Sequence, residues 1–243
     1  MSDNNIKVYA AWDINTRLFH WINVLCVFVL SVLGLIMLNK GSLGISGTEA
    51  SIGLKALHVT VGYVFATNLI VRIIWGFIGP PLSQFRSLVP GKRFKQELSA
   101  FKASVKAGQP QTFIGHNPKA RVFLLLVFLL LILNMCTGLI RAGTDIYYPP
   151  FGEFAARYVA AEGVDPADIK PYDDTGTDPD KYEKLKAFKG PFGTVHIYGA
   201  YLLWLLIVVH LFNVIRADAK GHGTLISAMF SGKKHLPRPP EDL

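Results

Sequence analysis

An all-α integral membrane bundle of four transmembrane helices is the fold class that this 243-residue sequence predicts. Three observations predict it. Hydrophobic residues make up 51% of the chain and gather into four blocks, at 18–38, 56–78, 122–140 and 195–215. Those blocks hold 21, 23, 19 and 21 residues, close to the roughly 20 that a helix needs to cross a bilayer's hydrocarbon core. No Asp or Glu lies inside any of them. Unpaired backbone groups are too costly in hydrocarbon, so each block must be a helix.

Taken in order, the spans are expected at about 17–38, 55–79, 120–141 and 193–216, each good to about one turn. The first could be mistaken for a secretory signal. Its apolar run is longer than a 7–15-residue signal core, and no small-x-small cleavage site follows it. "NKGSLGISG" leads instead into the second span. Between the second and third spans, the stretch 80–121 carries Arg86, Lys92, Arg93, Lys95, Lys102, Lys106, Lys119 and Arg121 against the single acid Glu97. After the fourth come Lys220, Lys233, Lys234 and Arg238. The loop 142–190 is different: ten acids face six bases, a net charge of −4. The positive-inside rule then puts both termini and the basic stretch of a multi-pass protein in the cytoplasm, with the acidic loop outside. The net charge of +8 is an orientation signal with a share of anionic-lipid contact. It carries no nucleic-acid reading motif.

Cys26 and Cys136 lie at different depths, too far apart to bridge, and neither stands in the C-x-x-C-H run of covalent haem attachment. Both read as packing residues. P-loops, H-E-x-x-H motifs and nucleophile elbows are absent from the sequence.

The fourth span opens with "HIYGAYLLWLLIVVH", an apolar run with a histidine at each end. Fourteen residues of helix rise about 21 Å and turn to within about 40° of a whole number of turns. His196 and His210 therefore share a face, one near each membrane surface. His20 opens the first span and His58 the second. Alternating span directions sort the four by depth into two cross-helix pairs, His58 with His196 and His20 with His210. Two neutral imidazoles facing each other across a bundle suit the axial positions of a b-type haem iron. A metal transporter is the rival reading, but such a site gathers its ligands at one level, usually with carboxylates. Gly34, Gly62 and Gly199 fall where a flat macrocycle would press on a helix; small residues also serve ordinary membrane-helix packing.

"RLFHWINVLCVFVLSVLGL", "LHVTVGYVFATNLIVRIIWGFIG", "GHNPKAR" and "HIYGAYLLWLLIVVHLFNVIRAD" followed by "LISAMFSG" together resemble the bacterial cytochrome b561-like membrane family, and within it the b-type cytochrome subunit of nickel–iron hydrogenases. The resemblance covers all four spans. It implies a single di-haem domain over residues 1–243, two haem b groups stacked across the membrane, and electron exchange with a quinone, menaquinone or ubiquinone. Residue for residue, the ligands fall on His20, His58, His196 and His210. The family's quinone site carries over to His116 and Asn117, beside the cytoplasmic haem, although Gly-His-Asn-Pro is also good chemistry for a turn before a helix. Whether quinone is reduced there, which would make the chain itself enzymatic, stays open at this point.

Arg72 lies fourteen residues after His58, and Arg17 one turn before His20. Each is a candidate for a haem propionate or for the lipid headgroups. Trp12, Trp21, Trp75, Tyr147 and Tyr148 read as interfacial anchors. The acidic loop departs from the hydrogenase pattern. Its middle looks too polar for a core of its own, while "FGEFAARYVAAEG" suits a short amphipathic helix. Such a loop would dock hydrogenase-like or other dehydrogenase catalytic and iron–sulfur subunits, formate- or thiosulfate-type enzymes among them, or a c-type cytochrome with a basic face.

Overall fold

The computed structural model describes residues 6–220 and 224–243. In chain order these form strand β1 (Lys7–Ala10), helices α1 (Ile14–Leu38), α2 (Thr48–Ile78), α3 (Phe94–Lys106), α4 (Pro118–Ile146), α5 (Gly152–Val159), α6 (Pro179–Ala219) and α7 (Leu225–Ser231), and strand β2 (Lys233–Leu236). Helices α1, α2, α4 and α6 are long and apolar enough to cross a membrane. Between 11% and 28% of each one's most apolar stretch is buried inside the protein. Phe28, Val71, Leu129 and Val208 are all more than half exposed. Apolar surface of that extent is stable against lipid and not against water. The chain is an all-α membrane bundle, as the four blocks predict.

The helices outrun the expected spans. α2 begins at Thr48 rather than 55, α4 runs on to Ile146 rather than 141, and α6 starts at Pro179 rather than 193 and passes straight through Pro191. At 41 residues α6 is about 60 Å long, twice the thickness of the hydrocarbon core. Hydropathy marks where lipid ends. It does not mark where the backbone ladder ends, and polar turns extend three of the four helices.

Contacts divide the chain into two compact units, residues 1–22, 68–129 and 203–243 in one, and 23–67 with 130–202 in the other. The first holds both β1 and the tail that ends at Leu243. Here β1 pairs antiparallel with β2, Lys7 opposite Leu236 and Ala10 opposite Lys233. Gly232 ends α7 at φ 78°, and its carbonyl accepts from the amides of Ala11 and Trp12 at 2.8 and 3.1 Å. A Cβ there would lie 2.6 Å from the Trp12 carbonyl, so the position needs glycine. The tail continues onto the loop before α4. Asp242 accepts from the amides of Ile114 and Gly115, both at 2.7 Å, and the Glu241 amide donates to the Thr112 carbonyl at 2.9 Å.

Asp13 starts α1 by accepting from the Thr16 amide at 3.0 Å, an N-cap bond. It also accepts from the Ser83 hydroxyl at 2.5 Å and the Trp75 indole at 3.0 Å. Burial pushes its pKa up, but the bonds from Ser83, Thr16 and Trp75 outweigh burial and hold the carboxyl below its ordinary value. The indole of Trp21 donates to the Met229 carbonyl at 3.0 Å. These tryptophans are fastened within the protein and are more than interfacial anchors. α3, which the sequence showed only as a basic stretch, buries Phe101 against Phe113 with ring centroids 5.9 Å apart.

The second unit corrects the expectation that the acidic loop lacks a core. Ala155, Ala156, Val159, Ile169 and Leu185 form a buried cluster, with Tyr147, Ala160, Val164 and Tyr182 packed against it. Leu185 and Tyr182 belong to the polar extension of α6. A loop read alone looks too polar, but it borrows apolar side chains from the helix that follows. The amphipathic helix expected near 151–163 is α5. Cys26 is buried, whereas Cys136 is exposed on α4, so only the first fits the packing role.

Candidate functional site

In the second unit, α2 carries His58 and α6 carries His196, and their rings face each other with centroids 6.3 Å apart and planes inclined by 75°. A metal–imidazole nitrogen bond is about 2 Å, and that nitrogen lies about 1 Å from its ring centre, so two imidazoles on opposite sides of one metal put their centroids about 6 Å apart. The observed separation matches that arrangement.

His196 is also oriented. Its Nδ1 lies 3.0 Å from the Thr137 hydroxyl of α4, which spends its own proton on the Leu133 carbonyl at 2.8 Å. The hydroxyl therefore accepts from Nδ1–H, and the lone pair is left on Nε2, free to ligate. Nδ1 of His58 is buried with no hydrogen-bond partner among the described residues, the kind of polar atom that a ligand would satisfy.

The glycines divide. Gly34 faces His58, a Cβ there lying 3.9 Å from its Cε1. Nothing lies within 4 Å of a Cβ at Gly62, so space stays open one turn beyond His58. Gly199 packs on Asn134, whose Nδ2 would stand 2.9 Å from a Cβ; helix packing accounts for that glycine. The closest glycine to the pair is one the sequence reading did not single out. A Cβ at Gly138 would come 3.1 Å from Cε1 of His196. Gly138→Val is expected to push the His196 ring out of line and to cut pigment bound at this pair several-fold, read as haem per chain, with secondary structure by circular dichroism unchanged.

Beside the pair lies a charge cluster that sequence reading missed altogether. The Asp145 carboxylate, its side chain 6% exposed, pairs with Lys55 at 2.7 Å, with Lys189 at 3.0 Å and with Arg141. The residues are spread over α2, α4 and α6, and two of them stood inside what read as an acidic loop. No sequence spacing signals such a cluster.

The first unit holds His20, His210, Arg17, Arg72, His116 and Asn117. His210 stacks on Phe123 with centroids 6.2 Å apart and planes 8° from parallel. His20 stands edge-on to Trp21, with ring centroids 5.1 Å apart. Nδ1 of His20, like that of His58, is buried without a partner. Arg72 is 6% exposed. Its Nη2 donates to the Ser83 carbonyl at 2.9 Å, and its guanidinium lies among Phe19, Phe85 and Phe128 at 5.8, 5.3 and 5.2 Å. Nη1 is buried with no partner. A guanidinium held like this does not snorkel to headgroups, and the N–H groups of Nη1 are left without an acceptor among the described residues. Arg17 donates Nη1 to the Phe230 carbonyl, and its Nε is buried and unpaired.

Asn117 caps α4, accepting from the Ala120 amide at 2.9 Å, so the turn chemistry of "GHNP" is real. His116 packs against Trp12 at 4.7 Å, and the Lys234 ammonium lies 5.2 Å from the centroid of that indole while donating to the Gly115 carbonyl at 2.8 Å. Burial pushes the Lys234 ammonium down to about 8, against the pull of Asp242. Burial also pushes His116 down to about 3, and the charges of Lys234, Arg72, His210 and Arg121 act the same way. At neutral pH His116 is thus a neutral imidazole.

That shift has a sign. Between pH 6.5 and about 3 the unfolded chain binds a proton at this position that the folded chain refuses, so the folded loop loses stability as pH falls. Hydrogen exchange at the Ile114 and Gly115 amides, corrected for intrinsic rate, is expected to speed up from pH 6.5 to 5. His116→Phe should remove the effect; the same acceleration in that variant would contradict it.

The family described as prokaryotic cytochrome b561 matches residues 11–232. Among curated proteins, the chain is 26% identical to a probable Ni/Fe-hydrogenase 1 B-type cytochrome subunit of Escherichia coli (strain K12), covering 95% of this chain and 92% of that one. It is 23% identical to a probable Ni/Fe-hydrogenase B-type cytochrome subunit of Cupriavidus necator, over 95% and 88%. A similarly named protein of Rhizobium leguminosarum bv. viciae is 26% identical over 95% and 89%.

Proposed function

The chain belongs to the prokaryotic cytochrome b561 family, and we propose that it holds two b haems and passes electrons between an external dehydrogenase and the quinone pool. It is an integral membrane cytochrome of the b type that serves electron transport. When bound, haem b supplies reversible one-electron chemistry at its iron.

The protein's own residues do the rest. His58 and His196 hold one iron, with Thr137 fixing the ligating nitrogen of His196. His20 and His210 hold the other, with Arg72 offering its unpaired Nη1 to that group's carboxylates. The observation that carries this reading is the 6.3 Å separation of the His58 and His196 rings. His116 is neutral at neutral pH and keeps a partly exposed edge, so it suits hydrogen bonding to a quinone carbonyl, with the Asn117 amide, whose Oδ1 caps α4, next to it in the chain. The basic residues between α2 and α4 support a cytoplasmic position for this end and both termini in a bacterial inner membrane. The relatives named as hydrogenase cytochrome subunits support a nickel–iron hydrogenase as electron donor, docked at the folded acidic loop.

Membranes carrying the chain with its native partners test this. Hydrogen should reduce the b bands, a naphthoquinone or ubiquinone analogue should reoxidise them, and an iron–sulfur subunit should co-purify. A cytochrome that dithionite reduces but hydrogen does not would reject the hydrogenase partnership.

A further inference from the structure

We propose that Lys55, Arg141 and Lys189, gathered on the Asp145 carboxylate, seat the carboxylate edge of the porphyrin gripped by His58 and His196; this rests on the reading of those histidines as axial ligands. Charge is the first argument. Three cations meet one acid, an excess of two positive charges at a site whose central carboxylate is nearly inaccessible. One partner would neutralise Asp145. Bringing three together at the edge of a low-dielectric region is costly unless further anionic charge shares them. Haem b carries two propionates, the missing complement.

Position is the second argument. Lys55 lies one turn before His58 on α2. Arg141 lies one turn after Gly138, the residue that faces His196, and its guanidinium rests against Gly193, one turn before His196 on α6. Lys189 lies two turns before His196. Donor capacity is the third argument. Lys55 and Arg141 each make one hydrogen bond to Asp145, and Lys189 pairs with it while donating to the Thr144 carbonyl at 3.2 Å. An ammonium has three N–H groups and a guanidinium five, so donors remain. The side chains of the three cations are 26%, 30% and 24% exposed, so each keeps accessible surface, although the Lys55 ammonium also lies over the Tyr172 ring at 5.0 Å. A cluster closed upon itself would leave neither.

The test pairs a protein change with a ligand change. Full-length chain carrying His20→Ala, which leaves only the His58/His196 pair, is stripped of haem and titrated with protohaem or with its dimethyl ester, in which both carboxylates are masked. The same titrations are run with Lys55→Met and Lys189→Met added, keeping the Arg141–Asp145 pair so that no buried carboxylate is stranded. Protohaem binding should weaken about tenfold or more on losing two charge-assisted contacts, while ester binding stays as it was. Equal weakening of both ligands, or of neither, would overturn the proposal and leave the ligand pair standing. Absence of pigment in both the His20→Ala and His210→Ala backgrounds would instead reject the pairing of the ligands itself.

Discussion

Replacing either His58 or His196 by Ala is expected to remove one haem of two, and replacing either His20 or His210 to remove the other. The prediction is specific because each pair lies within one compact unit, {His58, His196} in the one and {His20, His210} in the other. An axial ligand lost from a bis-histidine site takes most of the binding energy with it. The four single variants should therefore fall into two spectral classes, one per pair. The double variant His58→Ala/His196→Ala should resemble either single one, since both strip the same group. Four distinct spectra, or two haems kept in any single variant, would break the pairing.

The second large effect concerns Asp145. Asp145→Asn should destabilise the chain by about 1.5–3 kcal/mol, the usual scale for losing a hydrogen-bonded charge whose partners keep some solvent access. Here one substitution strands Lys55, Arg141 and Lys189 together. The exposed pair Arg157–Glu153, with side chains 69% and 77% accessible, is the control. Glu153→Gln should change stability by less than about 0.5 kcal/mol. Equilibrium unfolding in mixed detergent reads both. A small change at Asp145 would mean that its cations do not depend on it.

Much of this architecture is legible in the sequence because lipid imposes a simple rule. Apolar blocks of about 20 residues place the spans without tertiary information, and a histidine near the ends of three of them is what suggests the pairs. Arg72 is legible for the same reason, as a charge in a place that tolerates few. What stays hidden depends on assembly. Lys55, Arg141, Asp145 and Lys189 come from three helices and read one by one as loop or interfacial charges. Thr137 and Gly138 look like ordinary membrane-helix residues until the His196 ring is beside them. The loop core escapes because Tyr182 and Leu185 belong to a helix whose polar extension hydropathy cannot see. The β1–β2 pairing joins segments more than 220 residues apart, beyond the reach of any local pattern, and with it goes the placement of Lys234 and Asp242 against the "GHNP" loop.

Everything about electron transfer depends on iron porphyrin being gripped twice in each polypeptide. Pyridine haemochromogen counting on the purified chain, set against quantitative amino-acid analysis, tests that directly. Two protohaems per chain is the predicted result; one or none would contradict it.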